Sequence, residues 1–150
     1  MERITKDIYI GGKTTGVAVK LNRIKYVVNL VGWPLPYKND KMPIQDGSTT
    51  NDPAQFLRIM QAIDTAVKQR RTPVFINCAA GMSRSPVIAA LYLYWSGKGK
   101  YATFDDALGF VLSKSTVAQP NYKLIWFVKN RVIPFFNSLK PENKKGKRRS

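Results

Sequence analysis

"VFINCAAGMSRSP", residues 74–86, decides how the rest of the chain reads. The apolar run 74–77 predicts a buried strand, and it ends at Cys78, the single cysteine of 150 residues. Ala79, Ala80 and Gly81 follow, small enough to let the backbone approach a ligand, then Met82 and Ser83. Just after Arg84 the pattern turns into "SPVIAALYLYW", apolar on nearly every face, which predicts a helix through the middle of the domain. Strand, small-residue loop and helix N-terminus together form an anion cradle, with backbone N–H groups facing inward and the helix dipole adding positive charge. A thiol facing such a cradle and a cation ionises more readily than a free one. Arg84 offers a planar fork that can hold two oxygens of a phosphate. The loop is therefore expected to bind a phosphoryl group and the thiolate to attack it.

Outward from this stretch, three more strands are expected: 7–10 before Gly11-Gly12, the β-branched run "YVVNL" (26–30), and a short one at "MPIQD" (42–46). Pro73 stands at the start of the strand before Cys78, where its missing N–H does least harm. A helix opens at "NDPAQ", with Asp52 as N-cap, Pro53 at the first helical position and Gln55 at the third. Phe56, Met60, Ile63 and Val67 then recur at helical spacing. Another helix starts at Thr103, with Asp106 placed for a capping box and Ala107, Leu108, Val111 and Leu112 on its apolar side. A last one follows Pro120 and runs to about Pro134. Strands alternating with helices predict a single α/β domain, residues 1–139, around a mostly parallel sheet of four to five strands.

Composition removes several chemistries. The chain has no histidine, which excludes Ser-His-Asp and Cys-His catalysis and any imidazole metal site. One cysteine cannot build a zinc or iron–sulfur site within one chain, nor an internal disulfide. No metal or cofactor is implied. Nothing at the start reads as a secretory signal and no apolar run is long enough to span a bilayer, so an intracellular location is expected. The net charge of +16 implies attraction to polyanions. The segment 140–150, "KPENKKGKRRS", carries +5 of it (four Lys and two Arg against Glu142), leaving +11 on the body. That composition predicts a disordered tail, either a solvated appendage or a docking element.

"CAAGMSRS", a C-x5-R followed by Ser, resembles the signature of the cysteine-based protein tyrosine phosphatases, and "RSP" with the small size resembles their dual-specificity branch. "DIYIGG" and "YVVNL" are similar to that branch's first strands, and "ATFDDALGFVLSKSTVAQPNYKLIWF" to its closing helices, so the likeness covers about residues 3–133. A bare C-x5-R is weak; with its strand, glycine, Ser-Pro and apolar helix it is specific. The resemblance implies an aspartic acid that protonates the leaving oxygen. Upstream candidates are Asp40, Asp46, Asp52 and Asp64. Asp64 falls in a helix pattern and Asp52 serves as an N-cap, so Asp46, opening "GSTTN", is preferred over Asp40; the alternative for it is a solvated loop carboxylate.

Ser85 resembles the hydroxyl that steadies the departing thiolate, although a Ser beside Pro is also a common helix cap. The family usually has His immediately before the cysteine; here Asn77 stands there, which implies altered thiol tuning rather than lost activity. Pro120-Asn121 either supports the phosphate loop from below or simply starts a helix. "GGKTTG" (11–16) is not a nucleotide-binding P-loop: that motif needs Gly at position 7, which is Asp, and a long helix after Lys13-Thr14. The expected function is a protein phosphatase acting on phosphotyrosine, with phosphoserine and phosphothreonine as further substrates, through a phosphocysteine. The alternatives are a phosphatase of RNA 5′-phosphates or phosphoinositides, or a non-catalytic phosphate- or nucleic-acid-binding module. Expected partners are phosphorylated proteins, with polyanion contact through the basic body and tail.

Overall fold

Val74–Asn77 becomes the middle strand of a five-stranded sheet in a computed structural model that describes residues 1–47, 50–80, 82–97 and 100–139. Gly81 of the expected phosphate loop and the basic segment 140–150 lie outside the described residues. The strands are β1 (Glu2–Arg3), β2 (Ile8–Gly11), β3 (Tyr26–Asn29), β4 (Asp40–Lys41) and β5 (Val74–Asn77), in the order β1-β2-β5-β3-β4. Only β1, which the sequence pattern did not reveal, runs antiparallel to its neighbour. Every residue of β3 and β5 is buried, which is why both read as continuous rather than alternating runs. Register aligns Gly11, Asn29 and Asn77 at one end of the sheet, so the chain enters Cys78 at the carboxyl ends of three parallel strands. In open parallel sheets that end is where ligands bind.

The helices are α1 (Gly16–Leu21), α2 (Pro53–Lys68), α3 (Arg84–Ser96), α4 (Phe104–Lys114), α5 (Tyr122–Phe127) and α6 (Ile133–Ser138). Both halves of the capping box form on α2: Asp52 accepts from Ala54 N–H, and the Gln55 side chain accepts from Asp52 N–H. Its core face is Phe56, Ile59, Met60, Ile63 and Ala66, while Val67 is only partly buried. Ser85 through Leu93 of α3 are all buried, as an all-round apolar helix demands. It stops at Gly97, whose φ of 71° is the left-handed conformation that glycine adopts without strain.

Two expected elements differ. The strand expected over 42–46 forms as β4 at Asp40–Lys41. The chain beyond stays extended, with Met42 and Ile44 N–H donating to the carbonyls of Asn29 and Leu30 at 2.8 and 3.2 Å. The regular ladder ends because Val31 N–H turns to the Asn29 side chain (3.0 Å) instead of to the neighbouring strand. The helix expected from Pro120 to about Pro134 is α5 and α6 joined by a π-helical turn, Val128–Val132. Pro134 has no N–H to offer the carbonyl four residues back, and the chain widens instead: Ile133 N–H reaches Val128 O, five residues away.

Candidate active site

The ladder continues one residue past β5, where Cys78 N–H donates to Gly11 O at 3.0 Å, and this fixes the backbone from which the thiol projects. The sulfur receives the N–H of Ser85 at 3.4 Å and lies 3.2 Å from its hydroxyl. Cys78 is 3% exposed and Ser85 fully buried, so both groups act away from bulk water. Ser85 is thus inside the first turn of α3 and faces the sulfur; the N-cap position is Ser83.

Ser83 makes no cap bond. Its hydroxyl donates to Asp46 Oδ1 at 2.5 Å and accepts Asn121 N–H at 2.9 Å, so one side chain joins three segments distant in sequence. Gln119 N–H adds a bond to Met82 O at 2.6 Å, so residues 119–121 brace the loop after Cys78. Asn121 also caps α5 through its bond from Lys123 N–H (2.9 Å); support and helix start coexist in one residue. Gly47, next to Asp46, has φ +76°, and a Cβ there would run into the Asn121 amide.

These residues enclose an open cleft of about 530 Å³. Its lining includes Cys78, Ala79, Ala80, Arg84, Asp46 and Asn121. Arg84 is held by donation from Nη1 to Ile44 O at 3.1 Å, which draws the guanidinium to the segment that carries Asp46. The other carboxylates are engaged elsewhere: Asp40 accepts from Tyr26 hydroxyl at 2.7 Å, Asp52 caps α2, and Asp64 binds Lys68 (2.8 Å) and Tyr92 hydroxyl (3.0 Å). Burial first, then the adjacent carboxylates, push both tyrosines far above the usual phenol range.

Asn77 is 1% exposed and donates through Nδ2 to Gly12 O at 2.7 Å; its Oδ1 has no partner among the described residues. With Lys13 N–H donating to Ala79 O at 3.3 Å, the glycine pair of "GGKTTG" is a brace beneath the loop, and the helix that follows, α1, has only six residues. Sequence reasoning missed the Ser83 link and the Ile44 carbonyl. A backbone carbonyl leaves no trace in residue type; the Asp-Gly pair at 46–47 was the one turn signal. The assembled site brings together a recessed sulfur bonded by Ser85 N–H and paired with its hydroxyl, a guanidinium held to Ile44 O, and the Asp46 carboxyl on the same cleft.

Residues 8–129 match the family model for the dual specificity phosphatase catalytic domain. The chain is 30% identical over 128 residues to the protein-tyrosine-phosphatase MKP1 of Arabidopsis thaliana, covering 79% of this chain and 16% of that protein. Over 105 residues it is 30% identical to the dual specificity protein phosphatase OPG106 of vaccinia virus, covering 65% and 61%. The chain therefore spans less than two thirds of these relatives' lengths. Among solved structures, human DUSP28 superposes with a TM-score of 0.74 at 20% identity, covering 92% of this chain and 99% of that one, a likeness of fold. The matched segment takes in four of the five strands, the cleft and every helix through α5, and the chain belongs to the dual specificity phosphatase catalytic domain family.

Proposed function

We propose that this chain is a cysteine-dependent protein phosphatase, acting on phosphotyrosine and also on phosphoserine and phosphothreonine. The observation that carries the reading is the Cys78 sulfur, aligned by the N–H and hydroxyl of Ser85 in the cleft that Arg84 and Asp46 share. In the first step the Cys78 thiolate attacks phosphorus in line and an S–P bond forms as the P–O ester bond breaks. Asp46, as the acid, gives its proton to the departing phenol or alcohol. Arg84 and the amides of the loop stabilise the equatorial oxygens. In the second step Asp46, now the base, takes a proton from water, which displaces the sulfur; the Ser85 hydroxyl steadies the thiolate as it leaves. An intracellular location is part of the proposal, because a nucleophilic thiol needs a reducing compartment.

Hydrolysis of p-nitrophenyl phosphate in the presence of EDTA tests it, together with acid-quenched mass spectrometry of the peptide bearing Cys78. Turnover, a phosphate adduct on Cys78, and the loss of both in Cys78→Ser are expected. An inert wild type, or a Cys78→Ser variant that matches it, overturns the reading.

A further inference from the structure

The other end of the sheet also carries a recess. Where β3 and β5 begin, away from the cleft, Lys25 N–H donates to Pro73 O at 2.9 Å and ties the two strand entries together. Beside them lies a recess of about 160 Å³ whose lining includes Lys25, Lys38, Arg71, Tyr26, Tyr37 and Asp40. The Arg71 guanidinium sits 4.7 Å from the centroid of the Tyr26 ring, a cation–π contact that draws it to the recess. The one carboxylate, Asp40, is turned to the Tyr26 hydroxyl at 2.7 Å. Three cations against one acid leave the recess positive. The Tyr37 hydroxyl is buried and has no partner among the described residues, an arrangement that a ligand oxygen would repair.

The surroundings are also basic. The ion pairs among the described residues are Lys68–Asp64 and Lys129–Asp105, so Lys20, Arg23, Lys25, Lys38, Arg70 and Arg71 stand without acidic partners. Arg23 and Arg70 follow the C-caps of α1 and α2 and have φ of 56° and 58°. Glycine is the unstrained residue at that position of a helix end. The helix dipole accounts for a cation in the last turn, and Lys20 and Lys68 already supply it. It does not account for arginine at two left-handed positions.

We propose that this end of the domain binds the phosphodiester backbone of single-stranded nucleic acid. Lys25, Lys38 and Arg71 hold one phosphate, the Tyr37 hydroxyl donates to it, and Lys20, Arg23 and Arg70 meet its neighbours. The recess has room for one phosphate group, and the flanking cations suit a ligand with negative charge at every residue. A sequence pI of about 10.2 accords with such a partner.

Fluorescence anisotropy with the full chain and a labelled oligouridylate, over a range of KCl concentrations, tests this. With the cleft saturated by inorganic phosphate, binding is expected to persist. Lys25→Gln/Lys38→Gln/Arg71→Gln is expected to weaken binding at least about tenfold. It should also flatten the logarithmic salt slope by about 2, since each cation withdrawn from a single-stranded backbone removes about 0.7. Its turnover of p-nitrophenyl phosphate is expected to remain at the wild-type level, which reports an intact fold. Tyr37→Phe, which keeps the ring, is expected to weaken binding a few-fold. Wild-type affinity in the triple variant overturns the proposal. So does loss of binding when only the six Lys and Arg of residues 140–150 are changed to Gln, or tighter binding of a polyglutamate peptide than of the oligouridylate. Should the triple variant lose turnover, Lys25→Gln/Lys38→Gln and Tyr37→Phe decide the matter, and wild-type affinity in both overturns the proposal.

Discussion

Cys78 and Asp46 line the same cleft, yet they are held in opposite ways. The cysteine sits at the junction of a central strand and a buried helix, and its position follows from the β5 ladder and the N-terminus of α3. The aspartate sits on an exposed stretch beyond the end of a two-residue edge strand, and its side chain is held by the Ser83 hydroxyl while side chains of Asn51 and Arg84 hold the backbone just before it. A side chain built into the backbone framework depends on the fold as a whole. One tethered by other side chains depends on a few individual contacts. Substitutions near Cys78 should therefore act nearly all-or-none, and substitutions near Asp46 should be graded.

Arg84→Lys breaks the comparison at its strongest point, since Arg84 belongs to both halves: α3 carries it and Ile44 O holds its guanidinium. A lysine keeps the charge and loses the planar fork, so kcat/KM for p-nitrophenyl phosphate should fall by about 10²–10³, the cost of losing preorganised donors at developing charge. A loss below about threefold would mean the guanidinium only packs against the acid's segment.

Asp46→Asn comes next, and its effect should depend on the substrate. General acid catalysis is worth about 10²–10⁴ where the leaving oxygen needs a proton. Phosphothreonine peptides should lose about 10² or more, and p-nitrophenyl phosphate, whose leaving group is stable as an anion, about tenfold or less. Equal losses on both would remove Asp46 from the acid's role. Ser83→Ala should act in the same direction and more weakly. It deletes the hydroxyl that joins Asp46 to Asn121, and one such bond at an exposed site is worth about 1 kcal/mol, or about fivefold in kcat. A fall in kcat that grows with leaving-group pKa marks a positioning role; a change in melting temperature alone marks a structural one.

The same contrast explains what could be read from sequence. The strand, loop and helix around Cys78 were legible because burial writes itself into residue type: four buried β-strand residues, three small ones, then nine buried helical ones. The α2 start was legible because capping is chemically specific at Asp52, Pro53 and Gln55. Asp46 itself was singled out, but what surrounds and holds it was not legible. Asp40–Lys41 is exposed on both residues and follows no apolar pattern, and the Ser83 hydroxyl chose Asp46 over its own helix end for reasons that lie 37 residues away. The break at Val128–Val132 was half legible, since Pro134 announced a disturbance but not its form.

The smallest expected effect probes the far support of the Asp46 side of the cleft. Residues 119–121 brace the loop after Cys78, and the chain leading into them is anchored by Glu2, which accepts from Ser115 hydroxyl (2.5 Å) and from Thr116 N–H (2.8 Å) and hydroxyl (2.9 Å). Burial alone would raise the Glu2 carboxyl, but the bonds from Ser115 and Thr116 outweigh it and hold the group below its ordinary value of 4.5. A carboxylate lowered by folding stabilises the protein above its unfolded value, and that contribution is lost as pH falls through the folded one. Glu2→Gln should therefore lower the melting temperature slightly at neutral pH, the effect being small because the group is close to solvent. Below pH 4.5 the deficit should shrink and then vanish, as wild-type Glu2 becomes neutral too. Thermal denaturation of the pair between about pH 3 and 7 measures it. A deficit independent of pH would mean that the anchor works through shape and not through charge. The variant's kcat should fall less than that of Ser83→Ala, because Glu2 is bonded to Ser115 and Thr116, several residues before Asn121, whose N–H meets the Ser83 hydroxyl that touches Asp46.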